Sequence, residues 1–135
     1  MIYLCSISSI DYEKGCADVA FLEKEDMVKT DVPFFDSEYN MPKVGDMVVA
    51  IFQENNGKIE RGYILGKPYT AANKPPAAGE GLYQKQMGSS SMSCMGDTLT
   101  IKAGKIVLDG EVVADGVNVA HHVHMTGDTE TSEPI

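Results

Sequence analysis

Residues 46–67 read DMVVAIFQENNGKIERGYILGK. Residues 46–53 form a nearly continuous apolar run, which is typical of a strand that is buried on both faces. Residues 61–67 form a second apolar run. The Gly-containing segment between them, residues 54–58, predicts a hairpin loop. This stretch therefore predicts two antiparallel strands joined by a tight connection.

Three further apolar segments precede this hairpin, at residues 2–10, 17–22 and 31–35. Five short antiparallel strands in a segment of this length fit a small barrel of the OB type. We therefore expect residues 1–69 to form an OB-fold barrel in an all-β protein. Residues 70–80, TAANKPPAAGE, contain two adjacent prolines and small residues without periodicity, so they predict a linker.

Residues 81–124 have a different rhythm, in which very short apolar pieces are separated by Gly or polar turns. Apolar side chains alternate within the pieces, as in Leu99 and Ile101. This rhythm is typical of a β-helix with one short strand per rung. We expect residues 81–124 to form a β-helix, followed by a polar and acidic tail at residues 125–135.

Strands this short favour an oligomer. Each strand offers only one or two apolar side chains, which is too little burial to offset the conformational entropy of a single ordered chain. A single chain would also leave sheet edges unpaired. Three copies wound about one axis would pair those edges and bring the apolar side chains together. We therefore expect an intertwined homotrimer, and the alternative is a monomeric extra β-hairpin domain.

The composition disfavours several classes of function. The chain has 135 residues and a formal net charge of -9, which disfavours binding to the phosphates of nucleic acid and docking on an anionic membrane. Its three cysteines, Cys5, Cys16 and Cys94, form no Cys-x-x-Cys pair, which indicates buried thiols in a protein made in the cytoplasm. The first residues lack the basic region of a signal peptide, and no apolar run has the length of a membrane span.

All three histidines lie within residues 120–124, which read AHHVH. Residues i and i+2 of a strand project to one face, so His122 and His124 can bind one metal ion together. Three copies would supply six imidazole nitrogens. That donor set favours Fe(II) first and Ni(II) next, whereas zinc prefers four ligands in structural sites.

The direction of this His-x-His pair is not fixed by the local pattern. Simple alternation places His121 on the same face as Val117 and Val119, which turns His122 and His124 outward. His122 and His124 face the threefold axis of the expected trimer only if a bulge or turn shifts the alternation of side chains after Val119. A ring of three His121 side chains and a solvated histidine cluster without a structural metal are the alternatives.

Two stretches resemble a known family. Residues 31–69 contain a P-x-V-G-D-x-V pattern from Pro42 to Val48 and a closing G-x-I-L-G pattern from Gly62 to Gly66. They resemble the N-terminal OB-fold of phage baseplate assembly protein V and related central spike proteins of contractile tails. Residues 96–124 are similar to the shaft and apex of the same family, which ends in a strand with a His-x-His pair.

The resemblance implies a trimeric, membrane-piercing central spike of a phage, a tailocin or a related injection system. In that family the OB domains trimerise and attach to the baseplate hub protein beneath the tail tube, and the tip meets the target cell envelope transiently. Three apex His-x-His pairs hold one iron ion per trimer, a role that falls on His122 and His124 here. We expect the docking surface to include Phe34, Phe35 and Tyr39, and the alternative places these rings in the barrel core.

Other classes of function make different demands on the sequence. An OB-fold module for nucleic acid or carbohydrate is one alternative, and nucleic-acid binding of this kind needs a basic groove with aromatic platforms. A receptor-binding trimeric adhesin would expose variable loops at its tip. A metal-dependent hydrolase needs an open coordination position and a general base, and no His-Glu-x-x-His motif occurs. We therefore expect neither enzymatic activity nor a small-molecule substrate.

Overall fold

The structure is a computed structural model. It describes residues 1–25, 27–118, 125–126 and 129–130. These residues form an all-β protein without helices, so none of them belongs to a helix that could span a membrane. The chain divides into two compact units, which are unit 1, Met1–Leu82, and unit 2, Tyr83–Ile135.

Unit 1 contains the five strands that the sequence predicts. They are β1 (Ile2–Asp11), β2 (Cys16–Phe21), β3 (Val28–Pro33), β4 (Met47–Asn55) and β5 (Lys58–Gly66). All neighbouring pairs are antiparallel, and the strand order in the sheet is β3-β2-β1-β4-β5. Strands β3 and β5 each begin three residues earlier than predicted, at residues 28 and 58 rather than 31 and 61.

The two edge strands of this sheet approach each other, so the sheet curls into a nearly closed barrel. Phe34 forms a parallel bridge with Ile64 just after β3 ends. At the other end of the seam, the Lys29 ammonium donates to the carbonyl oxygen of Ile59 at 3.1 Å. These contacts join β3 to β5 without a continuous ladder of hydrogen bonds between them, which is the pattern of a partly open barrel.

One apolar core fills the barrel. Along each strand alternate side chains point inward, as the period of two requires. The rings of Tyr3, Phe21 and Phe52 form the centre, with Phe21 at 4.9 Å from Tyr3 and 5.3 Å from Phe52 between ring centroids. Aliphatic and small side chains complete the core, namely Cys5, Ile7, Ala17, Val19, Val32, Val48, Ala50 and Ile64.

A close approach between β4 and β5 explains the glycine of the closing pattern. Gly62 lies opposite Phe52 in the ladder. A Cβ atom at position 62 would lie 2.3 Å from a ring carbon of Phe52 and 2.3 Å from the carbonyl oxygen of Ile51. Only glycine therefore lets the Phe52 ring fold over β5.

The prediction that β4 is buried on both faces is wrong in this chain. Val48, Ala50 and Phe52 point into the core, whereas Val49 is only half-buried and Ile51 is 40% exposed. A barrel has one interior, so a strand of its wall can bury only one face within its own unit. The outward apolar side chains of β4 therefore lie at the surface.

The turn between β4 and β5 is tighter than the predicted loop of residues 54–58. Asn55 pairs with Lys58, which leaves Asn56 and Gly57 as the only unpaired residues. Both adopt positive φ angles, 51° and 77°. An Asn-Gly pair of this kind makes a type I′ turn, whose twist matches that of the two strands.

The V-G-D part of the sequence motif is a turn that is attached to β1. The Lys43 backbone N–H donates to the Asp46 carboxylate at 2.8 Å, and the Gly45 N–H donates to the Ile7 carbonyl at 2.8 Å. Gly45 has a φ of 92°, which a side chain would oppose. The Lys43 N–H and then the Lys67 ammonium, 3.0 Å from the carboxylate, hold the pKa of Asp46 below its usual range.

Unit 2 contains short strands only, and β6 starts at the boundary between the units. A three-stranded sheet has the order β6-β7-β8. Its strands are β6 (Leu82–Met87), β7 (Ser90–Met95) and β8 (Thr98–Lys102). Two small hairpins follow, formed by β9 (Val113–Ala114) with β10 (Val117–Asn118) and by β11 (Met125–Thr126) with β12 (Thr129–Glu130).

Candidate functional site

The predicted metal ligands lie outside the described residues. Residues 119–124 contain His121, His122 and His124, so the metal site and the phase shift after Val119 stay predictions. Strand β10 ends at Asn118, directly before this segment. Within the residues that the structure does describe, no group of three or more His, Cys, Asp or Glu side chains could hold a metal ion.

The hairpin of β7 and β8 carries an apolar stripe on one face. Met92 lies opposite Ile101, and Cys94 lies opposite Leu99. Residues that are directly opposite in an antiparallel pair share a face, so these four side chains form one continuous patch. We call it the β7–β8 stripe. Leu99 is 60% exposed and Ile101 is 52% exposed in the single chain.

The other face of the same hairpin is polar. Ser91 lies opposite Lys102, and Ser93 lies opposite Thr100. The hairpin is therefore amphipathic, with one face suited to water and one suited to a packed interior. Such alternation normally marks a sheet that covers a core on its apolar side.

Unit 2 provides no such core within its described part. No residue from 83 to 117 is buried. After β8, Val112 is half-buried. Five other large apolar side chains of the described residues are more than half exposed, namely Ile106, Val107, Leu108, Val113 and Val117. Contiguous exposed apolar surface of this kind marks a site of interaction with protein or membrane.

The barrel has a second apolar surface on the outside of β1, β4 and β5. Ile2 pairs with Ile51, Ile51 pairs with Tyr63, and Leu4 pairs with Val49, so these side chains adjoin one another across three strands. Leu65 lies two residues after Tyr63 on the same face of β5. We call this set the outer barrel face. Ile2 is 65% exposed, Tyr63 44% and Leu65 46%, so this face is exposed apolar surface of the kind that marks an interaction site.

Sequence reasoning missed the outer barrel face because it expected β4 to be buried on both faces. The signal was present, since β1, β4 and β5 all carry apolar residues at their outward positions. A continuous apolar run fits a strand between two layers and a strand with a docking face equally well.

The three aromatic residues predicted for docking have different positions. Phe34 is partly buried and packs against the barrel core, as the alternative prediction held. Phe35 is 67% exposed, and its ring lies 6.0 Å from the Tyr63 ring, next to the outer barrel face. Tyr39 is also exposed, and its hydroxyl donates to the Tyr12 carbonyl at 3.0 Å.

The cysteines are free thiols in two different settings. Cys5 and Cys16 are buried in the barrel, as predicted. Burial raises the pKa of Cys5 to about 11 and also raises the pKa of Cys16. Both thiols are therefore poor nucleophiles at neutral pH. Cys94, in the β7–β8 stripe, is only half-buried in the single chain.

Two small cavities lie in the described part of unit 1. One of about 130 Å³ lies at the seam between β3 and β5, and one of about 140 Å³ lies beside Phe34 and Pro42. Pockets for drug-sized molecules usually have volumes of about 300–1,000 Å³. The geometry thus offers extended apolar faces for protein partners rather than a deep pocket.

The chain matches none of the protein-family models and none of the curated proteins with which it was compared. Three features of the chain bear on its function. They are the second unit with its β7–β8 stripe and no buried residue from 83 to 117, the outer barrel face, and the His-x-His pair of the sequence.

Proposed function

We propose that this chain forms the central spike of a contractile phage tail or phage-tail-like particle, as an intertwined homotrimer. One observation carries the proposal. Unit 2 forms short strands with aligned apolar side chains, yet no residue from 83 to 117 is buried. A segment with this pattern needs its core to come from elsewhere.

Additional copies of the chain supply that core most simply. Ordering the backbone costs about 1–2 kcal/mol per residue, and burial of apolar area must offset it. Fully burying a large aliphatic side chain contributes about 1.5–3 kcal/mol, so the half-exposed side chains of unit 2 leave much of this gain unused. Three stripes that meet at a common axis would bury them, in a trimeric β-helix formed by residues 81–124.

The barrel supports the same proposal. A five-stranded, partly open barrel in which β1 lies between β2 and β4 fits the OB type. The outer barrel face gives it a surface for neighbouring barrels and for the baseplate hub protein. The Lys43–Asp46 turn and Gly62 give structural reasons for the two patterns on which the family resemblance depends.

We place the metal site of the proposed spike at its tip. His122 and His124 from three chains offer six imidazole nitrogens, a donor set that fits Fe²⁺, with Ni or Zn less favoured. An ion that binds these histidines only in the assembled trimer adds its binding free energy to the trimer, so it opposes separation of the chains at the tip.

The function of such a spike is mechanical. When a sheath contracts, force passes down the tube to a narrow tip that meets the target cell envelope. Hydrogen bonds between strands of different chains must break together for the shaft to separate, so the shaft resists fraying. The net charge of -9 keeps a particle assembled from cytoplasmic chains soluble.

Light scattering combined with elemental analysis of the purified full chain tests this proposal. We expect the mass of three 14.6 kDa chains and about one iron per three chains. The double variant His122→Ala/His124→Ala should lose the metal, whereas the matched control His121→Ala should keep it. A monomer without metal would contradict the proposal, and metal loss in the His121→Ala control would move the site to His121.

A further inference from the structure

We propose that residues 105–109, KIVLD, form an intermolecular strand that adds to the free edge of β8 in a second copy of this chain. The inference rests on the proposed homotrimer and assigns one of its chain-to-chain contacts. It starts from two unpaired features of unit 2 that fit each other.

The first feature is the segment itself. Ile106, Val107 and Leu108 are three consecutive apolar residues that are 52%, 74% and 66% exposed. Ile and Val are among the strongest strand formers. Nevertheless residues 105–109 belong to no strand and pair with none of the strands in the described part of the chain.

The second feature is the edge of the three-stranded sheet. In the order β6-β7-β8, strand β8 pairs with β7 on one side only. Along its other side, β8 meets no strand of the described part of unit 2. An open strand edge of this kind is a template for pairing with another chain.

The backbone between the two features explains why they do not pair within one chain. Only Ala103 and Gly104 separate β8 from residues 105–109, which is the length of a two-residue hairpin loop. Such loops favour turns with a positive φ at their first central residue. Unit 2 uses such turns at Gly88 (φ 62°), Gly96 (φ 61°) and Asp115 (φ 50°).

Ala103 differs from these first turn residues in its backbone conformation. It is not among the described residues with positive φ, and its Cβ atom disfavours that conformation. Gly104 does not adopt a positive φ either. The hairpin therefore does not close, and both the β8 edge and residues 105–109 stay available to other chains.

A second copy is the partner that fits, because each copy carries both halves of the contact. Each chain can give residues 105–109 to one neighbour and receive the same segment from the other. Such a head-to-tail contact closes into a ring when the rotation between copies is right, as in a trimer. The added strand also places alternate side chains of Ile106–Leu108 beside Leu99 and Ile101, which widens the β7–β8 stripe.

Disulfide trapping in the full chain tests this contact. Val107→Cys is combined, in a Cys94→Ser background, with one cysteine substitution at a time along β8, namely Thr98→Cys, Leu99→Cys, Thr100→Cys, Ile101→Cys and Lys102→Cys. This series covers every register at Val107, parallel or antiparallel. Cys5 and Cys16 stay in place because burial suppresses their reactivity. A disulfide forms only where the two Cα atoms lie within about 7 Å.

We expect at least one of the five variants to give covalent dimers and trimers on a non-reducing denaturing gel. The matched control replaces Val107→Cys by Ala78→Cys in the exposed linker, and it should stay monomeric on the gel. Light scattering before oxidation identifies the assembly state. A trimer in which no variant gives an intermolecular crosslink, or in which the disulfide closes within one chain, overturns this inference and leaves the proposed trimer intact. A wild-type monomer overturns both.

Hydrogen exchange of the unmodified protein is an independent measurement if the cysteine variants fold poorly. In a strand that is paired along one edge, alternate N–H groups point to the partner strand, and these paired amides exchange only through local unfolding. At least one N–H group among residues 106–108 should therefore exchange at least about 100-fold more slowly than those of the linker residues 77–79. Equal exchange rates at the two segments would overturn the inference.

Discussion

Replacing Ile101 by alanine should weaken assembly without disturbing the barrel. Ile101 lies in the β7–β8 stripe opposite Met92, and none of its neighbours in the hairpin is buried. The side chain is 52% exposed in the single chain, so about half of its burial is left for the contact between chains. Thr100, the next residue, points to the polar face of the same strand.

The size of the effect follows from the burial that the variant loses. Ile101→Ala removes three carbon groups, each of which contributes about 0.8 kcal/mol when fully buried. Ile101 is about half exposed in the single chain, so about half of this burial energy is gained on assembly. The variant should therefore weaken assembly by roughly 1 kcal/mol per chain and roughly 3 kcal/mol per trimer. Because about 1.4 kcal/mol is a tenfold change, the association constant should fall about 100-fold.

Sedimentation velocity over a dilution series measures this change. The ratio of trimer to free chain depends on the square of the free chain concentration, so the midpoint of dissociation should move to an about tenfold higher concentration. The control Thr100→Ala should move the midpoint by less than about threefold, since exposed positions away from an interface contribute little. If both variants move the midpoint equally, or if neither does, the β7–β8 stripe is not the trimer interior.

Three further predictions follow from the barrel and from its contrast with unit 2. Gly62→Ala should lower the free energy of unfolding by about 1–3 kcal/mol in chemical denaturation, because the added Cβ overlaps the Phe52 ring. Asp46→Asn should lower the melting temperature at pH 7 and flatten its acid dependence. The native pKa of Asp46 is depressed, so its contribution is present above the unfolded pKa of about 3.9 and is lost as pH falls through the lower native value. An unchanged acid dependence would contradict this. Thermal unfolding should show a unit 2 transition whose temperature rises with protein concentration more steeply than that of the barrel transition; two concentration-independent transitions would argue for a stable monomer.

The barrel strands were predictable because their local signals agree. Alternation in β1 and the Asn56-Gly57 turn each indicate the same antiparallel arrangement. The two faces of β4 were not predictable, because the outward residues Val49 and Ile51 are as apolar as the inward ones. Hydrophobicity alone reports that a side chain favours burial, and it does not identify the surface that buries it.

For the candidate functional site, the sequence predicted one strand of the stripe. Alternation marked Leu99 and Ile101 as one face, while the partnership of Met92 and Cys94 with them depends on the β7–β8 register. Residues 105–109 fall within the predicted β-helix, yet they form no strand within a single chain. The strand that we propose for them needs a partner chain, which a local pattern does not show.

The two units therefore place different requirements on the protein. Unit 1 buries its core within one chain, so a single copy can hold the barrel and present the outer barrel face. Unit 2 has a strand edge and apolar side chains that stay unpaired in a single copy, so in the proposed trimer its order would depend on assembly. Short strands each add little to that assembly. In the proposed spike, a metal bound by His122 and His124 would add its binding free energy to the contribution of the strands.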